Sequence, residues 1–262
     1  MERRFRVLNE LIRREGKRGV LAIGYFSRIP IVMLDSNADD YQKSTRYLPL
    51  VGLVIAGLMI GVFQALYLVL PLQMSVLLTL IFSVTITGGL HEDGLADFSD
   101  GFFGPFSRQR TLAIMKDSRI GVFGVLSLVS IFALRYQSLA QIPVELLWGA
   151  FLAGETLSRG LVLPYLQALP YARSENTYAK SMSGGFLGWL EVLAGLSVGL
   201  VPLWVLVPDH RFFWFIFGHG LVGLFLGFWW KRRIGGYTGD CLGAAQQLQL
   251  VTFLLIYLAV AC

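Results

Sequence analysis

The side chains with the greatest potential for chemistry lie in one segment, residues 88–124. It contains five of the chain's 17 acidic residues and one of its three histidines: His91, Glu92, Asp93, Asp97, Asp100 and Asp117. Long apolar stretches precede and follow this segment, and carboxylates close to lipid carry a high cost in free energy. A bound divalent cation would offset that cost, because hard cations such as Mg²⁺ bind carboxylate oxygens. We therefore predict a metal site in this segment.

Three of these acids are spaced for one face of a helix. Asp93, Asp97 and Asp100 stand at positions i, i+4 and i+7, so a helix would stack them over about two turns. The like charges repel one another there, and a cation would reverse that effect. The ordinary alternative is a solvated acidic face neutralised by nearby basic residues, namely Arg108, Arg110, Lys116 and Arg119. The scarcity of acids in the neighbouring apolar stretches favours the metal site.

Two further polar groups adjoin or interrupt apolar stretches. The sequence GGYTGDCLG leads Thr238 and Asp240 into an apolar stretch, and a glycine-rich turn at a helix N-terminus can bind an anion. Asp240 could instead be the N-cap of that helix. In an earlier stretch, Glu155, Ser158 and Arg159 share a helix face. They form either an intrahelical ion pair or part of a substrate cavity.

The elements that must hold these residues are transmembrane helices. The chain of 262 residues is 55% apolar and only 15% charged, with a mean hydropathy of +0.62, which is too apolar for a typical soluble domain. Stretches long enough to cross a bilayer cover residues 48–70, 72–90, 120–140, 144–166, 184–207, 211–230 and 241–261. We predict an all-α, polytopic membrane bundle of about seven transmembrane helices, which forms a single domain over residues 1–262.

The N-terminal residues 1–34 are predicted to lie at the membrane surface. Residues 1–18 place basic and apolar residues at helical spacing, which is typical of an amphipathic helix on an anionic leaflet. Residues 19–34 are apolar but short, and Arg28 and Pro30 favour a re-entrant or interfacial segment or a short buried helix. With a cytoplasmic N-terminus, the segments on that side hold 19 of the 22 lysine and arginine residues, in agreement with the positive-inside rule. This orientation places the acidic segment in the cytoplasm.

Several motifs resemble those of one enzyme family, in the same order along most of the chain. TGGLHEDGLADFSDG and IMKDSRIGVFG are the most specific, and FSRIP, ETLSR and GGYTGDCLGA accompany them. They are similar to the adenosylcobinamide-GDP ribazoletransferase family, also called cobalamin (5′-phosphate) synthase. The resemblance implies a Mg²⁺-dependent enzyme of the bacterial inner membrane. It also implies that the enzyme joins adenosylcobinamide-GDP to α-ribazole or its 5′-phosphate and releases GMP, the last nucleotide-loop assembly step of vitamin B12 biosynthesis.

The resemblance and the chemistry of the residues together suggest a role for each candidate. The expected ligands of one or two Mg²⁺ ions are Asp93, Asp97 and Asp100, with Glu92 and Asp117 as second choices. Lys116 and Arg119 are expected to stabilise charge on the pyrophosphate. Either His91 or Asp100 is expected to take the proton of the attacking ribose hydroxyl. The residues expected to complete the nucleotide or ribazole pocket are Ser158, Arg159, Thr238 and Asp240.

Two other functions share part of this pattern. A CDP-alcohol phosphatidyltransferase-like enzyme also has a D-G-x-x-A core on a membrane helix, but its next residue would be Arg where this chain has Asp97. A transporter would have charges inside its spans, whereas these acids crowd at one interface and no internal repeat is visible. Nucleic acid is not an expected partner, because no basic stripe is interleaved with aromatic residues. The expected partners are the two small-molecule substrates and the lipid bilayer, with a homo-oligomer left open.

Overall fold

The computed structural model describes residues 2–31, 35–104, 107–173, 187–207 and 209–261. The helices in chain order are α1 (Glu2–Phe26), α2 (Ala38–Ser44), α3 (Leu48–Tyr67), α4 (Leu72–Thr87), α5 (Leu90–Phe103), α6 (Arg108–Ile114), α7 (Val122–Gln141), α8 (Val144–Gly160), α9 (Leu163–Ala168), α10 (Trp189–Leu206), α11 (Phe212–Ile234) and α12 (Gly239–Ala261). The described residues form no β-strand, and one isolated backbone bridge joins Tyr171 to Tyr237. The prediction of an all-α protein is confirmed.

Six helical stretches in the described part of the chain are long and apolar enough to cross a membrane. They are Ala38–Tyr67, Val122–Gln141, Val144–Ala168, Trp189–Leu206, Phe212–Ile234 and Gly239–Val260. A seventh is added if α4 and α5 count as one span, although a bend of 86° separates them. The predicted bundle of about seven spans is confirmed, with boundaries that move by a few residues. Residues 184–186 of the fifth predicted span and residues 32–34 of the N-terminal segment lie outside the described residues.

The candidate spans differ in how deeply they are enclosed. In their most apolar stretches, 78% of the residues are buried for α8 with α9 and 67% for α12, against 17–33% for the others. Glycine allows a close approach to α8, because a side chain at Gly52 of α3 would overlap the backbone carbonyl of Glu155. At the periphery, Trp204 of α10 and Phe228 of α11 are exposed, as expected for helices that face lipid. The centre of the bundle therefore consists of α8 and α12.

The N-terminal helix is longer than predicted. It continues without interruption to Phe26, so no boundary at residue 19 separates it from the following segment, and of the alternatives predicted for residues 19–34 a buried helix describes residues 19–26. The physical reason is that the helix-breaking residue, Pro30, comes later, and nothing stops the helix at residue 19. The first half of α1 exposes Phe5, whereas Ala22 in the second half is buried in the bundle.

Ion pairs fix α1 to the bundle. Glu15 of α1 and Glu191 of α10 both pair with Arg46, which precedes α3. The hydroxyl of Tyr47 also donates a hydrogen bond to Glu15 at 2.5 Å. Burial raises the pKa of Glu15, but the Tyr47 hydrogen bond and the charge of Arg46 outweigh it, so this pKa lies below its ordinary value. The ionised carboxylate therefore favours the docked helix.

Two consecutive glycines turn α4 into α5. Gly88 and Gly89 have φ angles of 66° and 68°, a left-handed conformation that glycine adopts without the penalty of a Cβ. Gly88 also lies under Arg28, whose side chain would collide with any side chain placed there. The turn directs α5 back along α12 and α7, against which it packs.

Candidate active site

The acidic side chains that come together belong to two helices. Asp93 and Asp97 lie on α5, and Asp240 lies in the first turn of α12. The helices touch at glycines, since a Cβ on Gly94 would lie 3.2 Å from the Cα of Asp240 and 3.3 Å from that of Gly243. Asp97 lies one turn after Asp93 on α5, and because the backbones are this close the charge of Asp240 also acts on it. The two polar motifs of the sequence therefore meet at one place.

Arg173 supplies positive charge to this acidic group. Its guanidinium donates to Oδ2 of Asp240 at 2.8 Å and to the carbonyl oxygen of Met115 at 3.1 Å. Its Nε is buried and donates to no described atom. Within the part of the chain that the structure describes, the carboxylates of Asp93 and Asp97 accept no hydrogen bond. Arg173 pairs with Asp240, and the carboxylates of Asp93 and Asp97 are left to attract a cation.

A cavity of about 230 Å³ opens beside these groups, and we call it the acid cavity. Its polar wall is formed by His91, Asp93, Arg159, Arg173 and Asp240. Its apolar and aromatic wall includes Tyr25, Phe26, Leu48, Leu166 and Tyr171. This mixture of charged and aromatic groups suits a phosphorylated ligand that also has an apolar part.

Arg159 reaches the acid cavity from the centre of the bundle. It pairs with Glu155 one turn earlier on α8, so the predicted intrahelical pair is confirmed. The same side chain lines the cavity, and the two predicted roles of Arg159 are therefore compatible. Ser158 is not part of the cavity wall. Its hydroxyl is buried, accepts a hydrogen bond from Gln246 at 3.0 Å, and donates to the carbonyl of Glu155 at 3.4 Å.

Thr238 is the N-cap of α12, and Asp240 is not. The Thr238 hydroxyl accepts a hydrogen bond from the backbone N–H of Cys241 at 3.3 Å, which is the arrangement of an N-cap residue. The same hydroxyl donates to Oδ2 of Asp240 at 3.3 Å. The interpretation of Asp240 as the cap is wrong, because the helix begins one residue before it. Thr238 thus orients a carboxylate that is left available to Arg173.

Asp100 is engaged with a third helix. Its carboxylate accepts hydrogen bonds from the backbone N–H groups of Gly121 at 2.6 Å and Gly124 at 2.9 Å, and so it caps the N-terminus of α7. A Cβ on either glycine would lie 2.5 Å from an oxygen of Asp100. The two glycines therefore permit this contact, and Asp100 does not line the acid cavity.

Glu92 belongs to a separate buried group, which we call the polar cluster (Glu92, Arg135, Glu155, Arg159 and Gln247). Arg135 lies at its centre and is 3% exposed. It donates to Glu92 and Gln247 at 3.3 Å and to Glu155 at 3.5 Å. Gln247 also donates to Glu92 at 2.9 Å. The cluster contains two arginines and two glutamates, as charge balance inside a membrane bundle requires.

Of the remaining predicted site residues, one lines the acid cavity and three lie in an exposed turn. His91 is buried and lines the acid cavity. Asp117 and Arg119 pair with each other at 2.6 Å, and the Arg119 side chain is 87% exposed. Hydrogen bonds from Arg119 lower the pKa of Asp117. Lys116 is also exposed, but it lines a second cleft that includes Arg173.

The number of carboxylates at this site can be compared with the number of protein ligands that Mg²⁺ requires. Among the residues described, no three carboxylate, imidazole or thiol groups are close enough to hold a metal ion by themselves. Mg²⁺ commonly binds through one or two carboxylates and completes its shell with water and substrate phosphate oxygens. Asp97 and Asp240, with Asp93 in the cavity wall, fit that partial shell. The predicted ligands engaged elsewhere are Glu92, Asp100 and Asp117.

Sequence reasoning missed Arg173 and the partners of Arg135. Arg173 lies in the loop after α9, outside every recognisable motif, and only its position among the basic residues of one membrane side set it apart. Arg135 stood alone in an apolar stretch and gave no sign of its partners. Its contact with Gln247 crosses 112 residues of sequence, and no local pattern predicts such a pair.

Comparisons with known proteins agree on one family. The family model described as cobalamin-5-phosphate synthase matches residues 19–258. An adenosylcobinamide-GDP ribazoletransferase from Shewanella amazonensis is 37% identical over 94% of the chain and 96% of the relative. Proteins with the same description from Pseudoalteromonas atlantica and Vibrio cholerae are 37% and 34% identical, over 91% and 92% of the chain and 88% and 92% of the relatives. No solved structure matches the chain.

Proposed function

The chain belongs to the cobalamin-5-phosphate synthase family, and from this premise we propose that it joins adenosylcobinamide-GDP to α-ribazole or α-ribazole 5′-phosphate. The second product is GMP, and the reaction is the final nucleotide-loop assembly step of adenosylcobalamin biosynthesis. The observation that carries the proposal is that Asp93, Asp240 and Arg173 line one cavity, with Asp97 next to them on α5. Carboxylates and a guanidinium together are what a metal-bound diphosphate needs.

The reaction exchanges one phosphorus–oxygen bond for another. A ribose hydroxyl of α-ribazole attacks the phosphorus attached to the cobinamide arm, and the bond from that phosphorus to the GMP phosphate breaks. The electron pair leaves with GMP. Arg173 is placed to stabilise the charge that develops on the leaving phosphate. His91 in the cavity wall is the better candidate for the proton acceptor, because both oxygens of Asp100 already accept backbone hydrogen bonds.

Mg²⁺ is the cofactor that this site would use. Asp97 and Asp240, with Asp93, would hold it together with diphosphate oxygens, and the ion would neutralise negative charge on the diphosphate. Arg159 lies on the same wall of the cavity as His91 and would bind a phosphate or ribose oxygen of the second substrate. The aromatic wall formed by Tyr25, Phe26 and Tyr171 would hold an apolar base.

We propose that the site lies on the cytoplasmic side of the bacterial inner membrane. The basic residues Lys231, Arg232 and Arg233 end α11 next to the turn that leads to Asp240. Basic residues of this kind stay on the cytoplasmic side of a membrane. GMP and Mg²⁺ would then be exchanged with the cytoplasm.

Replacing Asp97 by Asn tests the proposal. The change keeps the size of the side chain and removes its charge, so GMP release from the two substrates should fall by at least about 100-fold. Asp209→Asn is the matched control, because Asp209 is an exposed residue that pairs with Arg211. Both variants should insert into membranes and purify like the parent. Wild-type activity in Asp97→Asn would contradict the proposed metal site at Asp97 and Asp240.

A further inference from the structure

A second cleft lies next to the acid cavity and shares one side chain with it. This basic cleft has a volume of about 360 Å³, and its lining includes Arg108, Gln109 and Lys116 on one side and Ala172 and Arg173 on the other. Arg173 also lines the acid cavity. A ligand longer than one phosphate group could therefore contact both spaces across this side chain.

The described lining of the basic cleft is rich in cations, although Arg173 also pairs with Asp240. Three of its lining side chains are cationic, and no carboxylate of the described residues lines it. Arg108 is held in place without a carboxylate partner, since it donates to the carbonyl oxygen of Ala172 at 3.0 Å. Its guanidinium carbon also lies 3.9 Å from the position of a Cβ on Gly235. Such an anchored guanidinium keeps further N–H groups to offer a phosphate.

The geometry of phosphoryl transfer gives the basic cleft a role. The attacking and leaving oxygens stand roughly in line on opposite sides of the phosphorus, so the two substrates need separate spaces on either side of the reacting group. The acid cavity offers carboxylates and aromatic side chains, whereas the basic cleft offers cations. Arg173 stands between the two spaces and contacts Asp240. It marks the place where the bond to the leaving phosphate would break.

We propose that the basic cleft binds the guanosine monophosphate part of the GDP-linked substrate and retains GMP until it is released. This inference rests on the proposed function and names the nucleotide subsite within it. The volume of about 360 Å³ falls within the usual range for small-molecule pockets. Gln109 adds one hydrogen-bond acceptor and two donors, which a purine base can use. Arg108 binds the phosphate, and Lys116 lies on the same wall of the cleft.

The test measures GMP binding directly, with the full-length protein in lipid nanodiscs and GMP itself as the titrant. Arg108→Ala should raise the Kd for GMP about 10- to 100-fold, which corresponds to the loss of one charge-assisted hydrogen bond. It should raise the KM for adenosylcobinamide-GDP in parallel and leave the KM for α-ribazole unchanged. Arg108→Lys should retain part of the affinity. Arg110→Ala is the matched control, because this exposed arginine is on the same helix and outside the cleft.

Three results would overturn the assignment. One is a GMP Kd that stays within threefold of wild type in both Arg108→Ala and Lys116→Ala. Another is an equal loss of GMP affinity in Arg110→Ala, which would indicate general electrostatic attraction. The third is an equal rise in the KM for α-ribazole, which would indicate a disturbed loop at Ala172. In each case, GMP release by the unmodified protein from its two substrates would still support the proposed function. If the unmodified protein releases no GMP, the proposed function itself is refuted.

Discussion

Arg135→Leu should destabilise the protein strongly, although Arg135 lies outside the acid cavity. The substitution places an apolar side chain in the bundle and removes the cation that the members of the polar cluster share. Glu155 retains Arg159 as its partner. Glu92 retains only the Gln247 amide at 2.9 Å, so one uncompensated carboxylate stays inside the bundle. Removal of one partner from a buried ion pair costs about 3–5 kcal/mol.

The distances place the cost at the lower end of that range. The Arg135 contacts with Glu92, Gln247, Ser83 and Glu155 measure 3.3–3.5 Å, which is long for charge-assisted hydrogen bonds. The contacts themselves are therefore weak, and the stranded charge dominates the penalty. About 3 kcal/mol corresponds to a Tm lower by roughly 6–12 °C for a chain of this size.

Thermal unfolding of the purified protein in nanodiscs measures this effect. The double variant Glu92→Gln with Arg135→Leu removes the stranded charge and should recover at least about 1 kcal/mol. Arg119→Leu is the control, because its pair with Asp117 is exposed and should contribute at most about 1 kcal/mol. A Tm for Arg135→Leu within 2 °C of wild type, or a double variant no more stable than the single one, would refute the reasoning.

Two further predictions concern Asp100 and Glu15. Asp100→Ala should lower stability by about 1–2 kcal/mol through loss of the α7 cap. Asp100→Asn should keep turnover within about tenfold of wild type, because its amide oxygen can still accept one of the backbone hydrogen bonds. A loss of activity in Asp100→Asn as large as that in Asp97→Asn would identify Asp100 as a metal ligand. The folded-state pKa of Glu15 is lowered, so its contribution to docking α1 is present above its ordinary pKa and is lost as the pH falls through the lowered one. Limited proteolysis near Arg14 should therefore accelerate in acid, and Glu15→Gln should show that acceleration already at neutral pH; equal cleavage rates in the two proteins would contradict this role.

The spans could be predicted from the sequence because each depends on a local property, an apolar run of sufficient length. The helical spacing of Asp93, Asp97 and Asp100 was likewise sufficient to place all three on α5. The N-terminal helix extends past residue 19 because the first helix-breaking residue is Pro30.

The composition of the site could not be predicted, because it depends on which helices touch. Asp100 follows the same periodicity as Asp97, yet α7 lies within reach of Asp100 and takes up its carboxylate. Asp240 joins Asp97 through a contact between glycines that are far apart in the sequence. Arg173 enters from a loop, where neither periodicity nor a cap constrains the position of a side chain.

The backbone contact between α5 and α12 at Gly94 has a consequence for the response of the enzyme to its host membrane. A change in bilayer thickness acts first on the outer helices, which tilt to match it. In this bundle the outer helices include α10 and α11, in which 22% and 17% of the residues of the apolar stretch are buried. The separation of Asp97 and Asp240 is set by two main chains in contact near the core. Turnover should therefore be nearly independent of acyl-chain length, a property useful to bacteria that remodel their lipids as the temperature changes.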